Sequence, residues 1–448
     1  MTKTLQKKLN DSPLARWCVL IVVAFTMFCG YFITDVMAPL MDLLKDEFSW
    51  TPTEYGIFNM AYGWLNVFFF MLIFSGMALD KLGARITGIF ACMLMIAGCG
   101  LKYYAVSQAF DGEIFGLRTQ VFIAGLGFAI FALGIESAGI TVTKVIARWF
   151  KGYEMALAMG IQVAVARLGT ALAMSTTIPL AQHFKSLSFP ILLGLGALCI
   201  GLITYLVFCV MDKKFDKSLA GTEKEKEDPF RLKDIGFIVT NKGFWLVATL
   251  CVLFYSAVFP FLKYATSLMI NKYNVAPELA GNIPAILPFG TILLTPLFGG
   301  IYDRKGKGAT IMIIGSAILI VVHALFSLPV LNIWWFASSL MILLGIAFSL
   351  VPSAMWPSVP KIIPENKLGT AYALIFWVQN IGLSLVPLLI GWVLDKYCTI
   401  TEGGSSRFDY TLPMIIFTCF GLLALCMALL LKREDKAKGY GLEKPNVK

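Results

Sequence analysis

The tightest constraint on this chain is a set of apolar segments, each long enough to cross a bilayer, that recurs twelve times. A spanning helix needs about 20 predominantly apolar residues. Such segments fall at 17–40, 55–79, 86–106, 119–143, 154–177, 190–211, 243–270, 278–301, 308–328, 332–359, 366–392 and 411–431. Hydrocarbon offers no partner to backbone N–H and C=O groups, so each segment is expected to be a helix that satisfies itself. Only 14% of the 448 residues are charged, against about 25% in soluble domains. These features exclude a secreted enzyme, a disordered scaffold and a nucleic-acid binder.

The net charge of +10 is explained by where the cations sit. With the N-terminus inside, cytoplasmic segments carry 28 of the 37 Lys and Arg residues and external loops carry seven, as the positive-inside rule requires. Both termini are therefore expected in the cytoplasm. The long polar stretch 212–242 includes the charge run Glu223 to Asp228 and reads as a solvated linker with a short surface helix. The expected organisation is an N-tail at 1–16, a six-helix bundle at 17–211, the linker, a second six-helix bundle at 243–431 and a C-tail at 432–448. Nine of the ten cysteines lie in apolar segments, with Cys398 on an external loop, and read as free thiols packed as small hydrophobes. The charged start runs into span 1 without a small-residue cleavage site, so no cleavable signal peptide is expected.

The two halves repeat. Gly76-Met-Ala-Leu-Asp80-Lys81-Leu-Gly83-Ala-Arg85 follows span 2, and Gly299-Gly-Ile-Tyr-Asp303-Arg304-Lys305-Gly306-Lys307 follows span 8. Two six-helix halves with a basic turn at matching places are the plan of the major facilitator superfamily, and G-x-x-x-D-[RK]-x-G-x-[RK] is its signature. The implied fold is an all-α membrane protein of twelve transmembrane helices in two bundles related by a pseudo-two-fold axis. In this motif the Asp caps a helix end, the Gly permits a tight turn, and the cations can meet a neighbouring helix's carbonyl end. Asp80, Lys81, Arg85, Asp303 and Arg304 are thus expected to gate access and not to select substrate.

Four ionisable groups stand well inside spans: Asp35, Glu136, Arg167 and Lys263. A charge near the midplane costs about 2.5–3.5 kcal/mol on insertion scales, so each needs a partner or a wet cavity. Glu136 lies about 24 Å of helix rise before the turn near Gly152, and Arg167 about 22 Å after it. They reach similar depth on adjacent antiparallel helices, either as a structural ion pair or as opposite clamps for a zwitterion. Gly134, Ala138, Gly139 and Gly169 thin the wall there, which favours the clamps. Asp35, with Tyr31 near it, can meet an amine, carry a proton or cap a helix end. Lys263, after a kink expected at Pro260, is an anion anchor or snorkels outward. His323 reads as a core histidine and His183 as an external-loop residue.

Tyr62, Trp64 and Asn66 on span 2, Tyr255 on span 7, Trp356 on span 10, and Gln379 with Asn380 on span 11 complete a candidate cavity for an amphipathic, peptide-like substrate. Pro352, Pro357 and Pro360 are expected to break span 10, and Pro284, Pro288 and Pro296 to interrupt span 8, as bending points for alternating access.

Local strings along nearly all twelve spans resemble one branch of the superfamily, the lysosomal dipeptide transporters. They are Tyr62-Gly-Trp64-Leu-Asn66-Val67, Gly134-Ile-Glu136-Ser137, Arg148-Trp149-Phe150-Lys151-Gly152, Ala166-Arg167-Leu-Gly169, Ala257-Val-Phe-Pro260-Phe261, Trp356-Pro357, Leu368-Gly-Thr-Ala-Tyr372 and Gln379-Asn380-Ile-Gly-Leu383. The resemblance implies a dipeptide uniporter in which Glu136 partners the peptide's amino end and Arg167 its carboxylate, whose geometry its planar fork suits. It also implies an acidic residue in span 1 at Asp35. Lys263 departs from the branch's pattern. The N-tail lacks an acidic dileucine sorting signal, the sequon Asn10-Asp-Ser12 is on the cytoplasmic side, and the external loops are short. The expected setting is a bacterial inner membrane, without the lysosomal form's glycosylated accessory subunit.

The expected function is rocker-switch transport of a small zwitterion, most readily a dipeptide, by a monomer with no cofactor and no metal. Within the transport class the rival is proton-coupled uptake of an organic anion anchored by Arg167 and Lys263. A non-transporting sensor is disfavoured by the presence of a gating motif in each half. An enzyme is disfavoured because no nucleophile, metal or phosphate-cradling motif is present.

Overall fold

The computed structural model describes residues 9–218, 232–364, 367–402 and 405–445; the Glu223–Asp228 run lies outside them. Among the described residues, eleven helices are long and apolar enough to span a membrane by themselves. They follow the expected segments and extend most of them; span 1 is Pro13–Asp35, span 4 Thr119–Trp149, span 5 Met155–His183 and span 7 Lys242–Asn271. Span 6 continues to Ser218, so Asp212, read as the first linker residue, is a buried helix residue.

The twelfth crossing is span 2, and it is assembled from pieces. Helices Pro52–Met60 and Tyr62–Asn66 are followed by an irregular turn at Val67–Phe70, and the path resumes in Met71–Ser107. Gly83, at φ 77° and ψ 168°, then bends the chain from span 2 into span 3 within that stretch. A side chain is strained at such a φ, which is why the gating motif needs glycine there. The prolines act differently from expectation. Spans 8 (Asn282–Lys305) and 10 (Trp334–Ile362) run continuous through Pro288 and Pro296 and through Pro352, Pro357 and Pro360, and span 7 runs through Pro260. Neighbouring groups can satisfy the carbonyls that proline orphans in a membrane helix. The broken helix is instead in span 2, where Phe70 takes a left-handed φ of 55°.

Spans 3 and 4 meet backbone to backbone, since a Cβ on Gly98 would lie 2.3 Å from the amide nitrogen of Phe131. Small residues permit this approach where no hydrophobic force drives helices together.

Two short β-hairpins, Glu113–Ile114 with Leu117–Arg118 and Thr399–Glu402 with Ser405–Phe408, mark one face of the bundle. The described parts of both tails and of the linker mark the other, here the tail face. At the hairpin face the halves are tied together. Lys45 donates to the Ser406 carbonyl at 2.8 Å, Asn271 to Asp42 at 3.0 Å, Thr53 to Asp395 at 2.5 Å and Gln182 to Glu278 at 3.1 Å.

The same face holds a capping box, in which the Thr51 hydroxyl accepts from the Glu54 amide and the Glu54 carboxylate accepts from the Thr51 amide. Arg118 grips that carboxylate and also donates to the Phe48 carbonyl at 2.9 Å. Burial pushes the Glu54 carboxyl up, but the Arg118 guanidinium and the Thr51 amide outweigh it and hold it below its ordinary value. A carboxyl so lowered stabilises the fold above the ordinary carboxylate range and stops doing so as pH falls through its lowered value. Glu54→Gln is therefore expected to melt up to about 3 °C below wild type at neutral pH. The two melting curves should converge in acid; a gap that widens there would refute the assignment.

At the tail face, the ion pairs formed by Arg85 and Arg148 stay within the N-terminal half. Arg85 reaches Asp216 at 2.8 Å and Asp212 at 3.7 Å, Arg148 reaches the same two carboxylates, and Lys144 meets Asp80 at 3.0 Å. In the C-terminal half the tail folds back as a strap. Gly308 and Lys307 donate backbone bonds to Leu442 and Glu443 at 2.9 and 3.0 Å, and the Glu443 carboxylate takes both the amide and the hydroxyl of Thr310 at 2.9 Å. Lys361 of span 10 holds the Lys444 carbonyl at 3.0 Å, and Leu442 is fully buried.

Candidate functional site

A cavity of about 300 Å³ lies between the halves, at the lower end of the range for small-molecule sites. Its wall contains Asp35, Tyr62, Glu136, Arg167, Tyr255, Lys263, Trp356, Gln379 and Asn380, every substrate-contacting residue read from the sequence apart from Trp64 and Asn66. Those two turn away. Trp64 packs on Phe122 with centroids 6.3 Å apart and lies close over Gly125, and Asn66 bonds back to the Tyr62 carbonyl. Helical periodicity accounts for Trp64, because a residue at i+2 does not share the face of Tyr62; Asn66, at i+4, has its amide spent on the Tyr62 carbonyl.

Glu136 and Arg167 face the same space without an ion pair between them among the described residues. The Glu136 carboxylate accepts from the Tyr62 hydroxyl at 2.6 Å. The Arg167 guanidinium carbon lies 5.3 Å from the ring centroids of Phe259 and Phe348 and 5.9 Å from that of Tyr31. An aromatic surround of this kind holds a cation by its π-faces and leaves the N–H fork for another acceptor. In the opposite wall Trp356 donates from its indole to the Tyr255 hydroxyl at 3.0 Å, and the Cys251 thiol donates to Gln379 at 3.3 Å. Asn380 donates to the Phe376 carbonyl at 3.0 Å.

Asp35 and Lys263 are paired across the two halves at 2.6 Å. Thr170 donates to the same carboxylate at 2.8 Å, and Lys263 also donates to the Thr34 carbonyl at 3.0 Å. Lys263 thus neither snorkels nor stands as a free anion anchor, because its charge is already matched. Asp35 is not merely a helix cap. Tyr55 strengthens the junction by donating to the Lys263 carbonyl at 2.9 Å.

Lys102, one of the seven cations counted to external loops in the charge tally, is buried to 1% exposure, where it donates to the Ile33 carbonyl at 2.8 Å between the rings of Phe128 and Phe131. Asn59, Phe128, Thr170, Phe259 and Phe376 also line the cavity and were not singled out. Each is three, four or eight residues from a residue that was, which is the spacing of one helix face. His323 is a core histidine, as expected, with Nε2 2.9 Å from the Ala257 carbonyl. His183 is exposed at the hairpin-face end of span 5.

The residues expected to gate lie on the tail face. Asp80 and Lys81 are exposed, and Asp303 and Arg304 are exposed in the last turn of span 8 before Gly306, at φ 67°. Arg85 meets carboxylates of span 6, where a helix carbonyl end was expected; two anionic side chains outcompete neutral carbonyls for a guanidinium.

A model of the Major Facilitator Superfamily matches residues 22–387. The human lysosomal dipeptide transporter MFSD1 is 27% identical over 440 residues, covering 95% of this chain and 88% of that one. Its mouse counterpart is 28% identical over 439 residues with the same coverage. Among solved structures, the nucleoside transporter NupG superposes with a TM-score of 0.70 at 15% identity, covering 93% of this chain and 98% of that one.

Proposed function

The chain belongs to the major facilitator superfamily, and on that premise we propose that it carries small zwitterions across the membrane, dipeptides above all, by alternating access as a uniporter. One observation carries the reading: Glu136 and Arg167 present opposite charges to a single cavity and are not consumed by each other. A free-ended dipeptide brings an ammonium for the first and a carboxylate for the second, so both charges are matched only when cargo is bound. The relatives named as dipeptide transporters support the same substrate class. The ties across the hairpin face make this a state closed on that side, with Asp80, Arg85, Asp303 and Arg304 acting at the opposite gate. The basic tail face is the cytoplasmic one by the positive-inside rule, and the membrane is a bacterial inner membrane.

The test is thermal stabilisation of the purified protein by Ala-Ala, N-acetyl-Ala-Ala, Ala-Ala amide and free alanine. Only the free-ended dipeptide should raise the melting temperature. Glu136→Gln should weaken its binding at least tenfold, since a neutral amide still meets Tyr62 but no longer balances an ammonium. Equal stabilisation by the N-acetyl form would replace this reading with anion transport.

A further inference from the structure

Four charged side chains line the cavity, and the dipeptide reading, on which this inference rests, uses two of them. The other two, Asp35 and Lys263, are bound to each other at 2.6 Å and are only 13% and 14% exposed. Their remaining valences are largely engaged as well, Asp35 by Thr170 and Lys263 by the Thr34 carbonyl. The rest of the wall is uncharged and rich in rings, Phe128, Tyr255, Phe259, Trp356 and Phe376 among them, beside the amides of Asn59, Gln379 and Asn380.

We propose that the Asp35–Lys263 pair is a specificity determinant that restricts the cargo to dipeptides with uncharged side chains. A charged side chain entering this space must either stay unmatched in a poorly solvated cavity or break a short, largely buried ion pair; both are costly. A cationic side chain meets a further obstacle, because the Lys102 ammonium already lies 4.7 Å from the centroid of Phe128, a ring of the cavity wall. An apolar or aromatic side chain meets neither obstacle and buries surface against the rings. Selectivity here comes from two charges cancelling each other, so removing either one should create a preference for the charge it had balanced.

The experiment measures dissociation constants of Leu-Ala, Lys-Ala and Glu-Ala for the full-length protein. Wild type should bind Leu-Ala at least tenfold more tightly than the other two. Lys263→Gln frees Asp35 and should improve Lys-Ala relative to Leu-Ala at least tenfold. Asp35→Asn frees Lys263 and should do the same for Glu-Ala. The exchanged pair, Asp35→Lys with Lys263→Asp, should restore the wild-type order. Because the readout is a ratio within each protein, a purely structural loss from weakening the hairpin-face junction cancels. Ratios unchanged in both single variants, or a wild type indifferent to side-chain charge, would overturn the proposal even with Leu-Ala bound. The wild-type comparison stands without any variant, so a substitution that fails to fold does not remove the test. Failure of all three peptides to bind wild type, or Leu-Ala binding untouched by Glu136→Gln, would instead remove the dipeptide reading and this inference with it.

Discussion

Arg167→Ala is expected to reduce dipeptide affinity by at least about 30-fold and uptake into proteoliposomes to near background. Truncating one member of a desolvated, hydrogen-bonded charge pair costs about 2–5 kcal/mol, and tenfold in affinity corresponds to about 1.4 kcal/mol. Nothing on the protein can substitute, because Lys263, the other cation in the wall, is held by Asp35. The fold should survive. Arg167 makes its contacts to ring faces of Tyr31, Phe259 and Phe348, and an alanine there leaves no carboxylate stranded. Arg167→Lys keeps the charge but loses the bidentate fork and should fall in between. Uptake by Arg167→Ala within threefold of wild type would show that the carboxylate is held elsewhere.

A second large effect is expected from steric contact alone. At the hairpin face, span 11 crosses span 2 so closely that a Cβ on Gly391 would sit 2.2 Å from the Pro52 carbonyl oxygen and 3.1 Å from the Gly56 Cα. Both are backbone atoms, which cannot rotate aside. Gly391→Leu should therefore wedge the halves apart on this side. Interfaces that pack this densely do not deform gradually, so the population moves to the alternative arrangement. Uptake should fall below about a tenth of wild type, with the melting temperature still cooperative because contacts inside each half are kept. A cysteine introduced at Thr53, whose hydroxyl reaches Asp395 in this state, should label faster in that background. Wild-type uptake combined with unchanged labelling would mean that this crossing is not part of the moving interface.

The architecture was legible in the residues because bilayer thickness converts span length directly into topology, and the paired Asp-Arg/Lys-Gly turns gave the internal repeat. The cavity was legible for a related reason. Charge and amide groups are so costly at membrane depth that Asp35, Glu136, Arg167, Lys263, Gln379 and Asn380 stand out without a structure. Direction and partnership were less readable. Lys102 sits at a span end, where snorkelling is the ordinary outcome, and only the tertiary approach of Ile33, Phe128 and Phe131 makes burial the better one. Lys263 could not be assigned because its partner is 228 residues away. The prolines misled as break points for a physical reason: one lost hydrogen bond need not end a membrane helix when neighbouring groups can replace it. The true break at Val67–Phe70 has no proline or glycine to announce it.

That break and the C-terminal strap make the two halves mechanically unlike. The strap joins the turn after span 8 to spans 9, 10 and 12, so the C-terminal half is a stiff arm at its tail-face end. The N-terminal half contains the crossing interrupted at Val67–Phe70, and there Trp377 of span 11 donates its indole N–H to the Val67 carbonyl that the interruption frees, at 3.1 Å, while its ring stacks on Phe70. Two bundles built on one symmetric plan thus work as an asymmetric machine, in which the compliant joint is in span 2 and the opposing lever is nearly rigid.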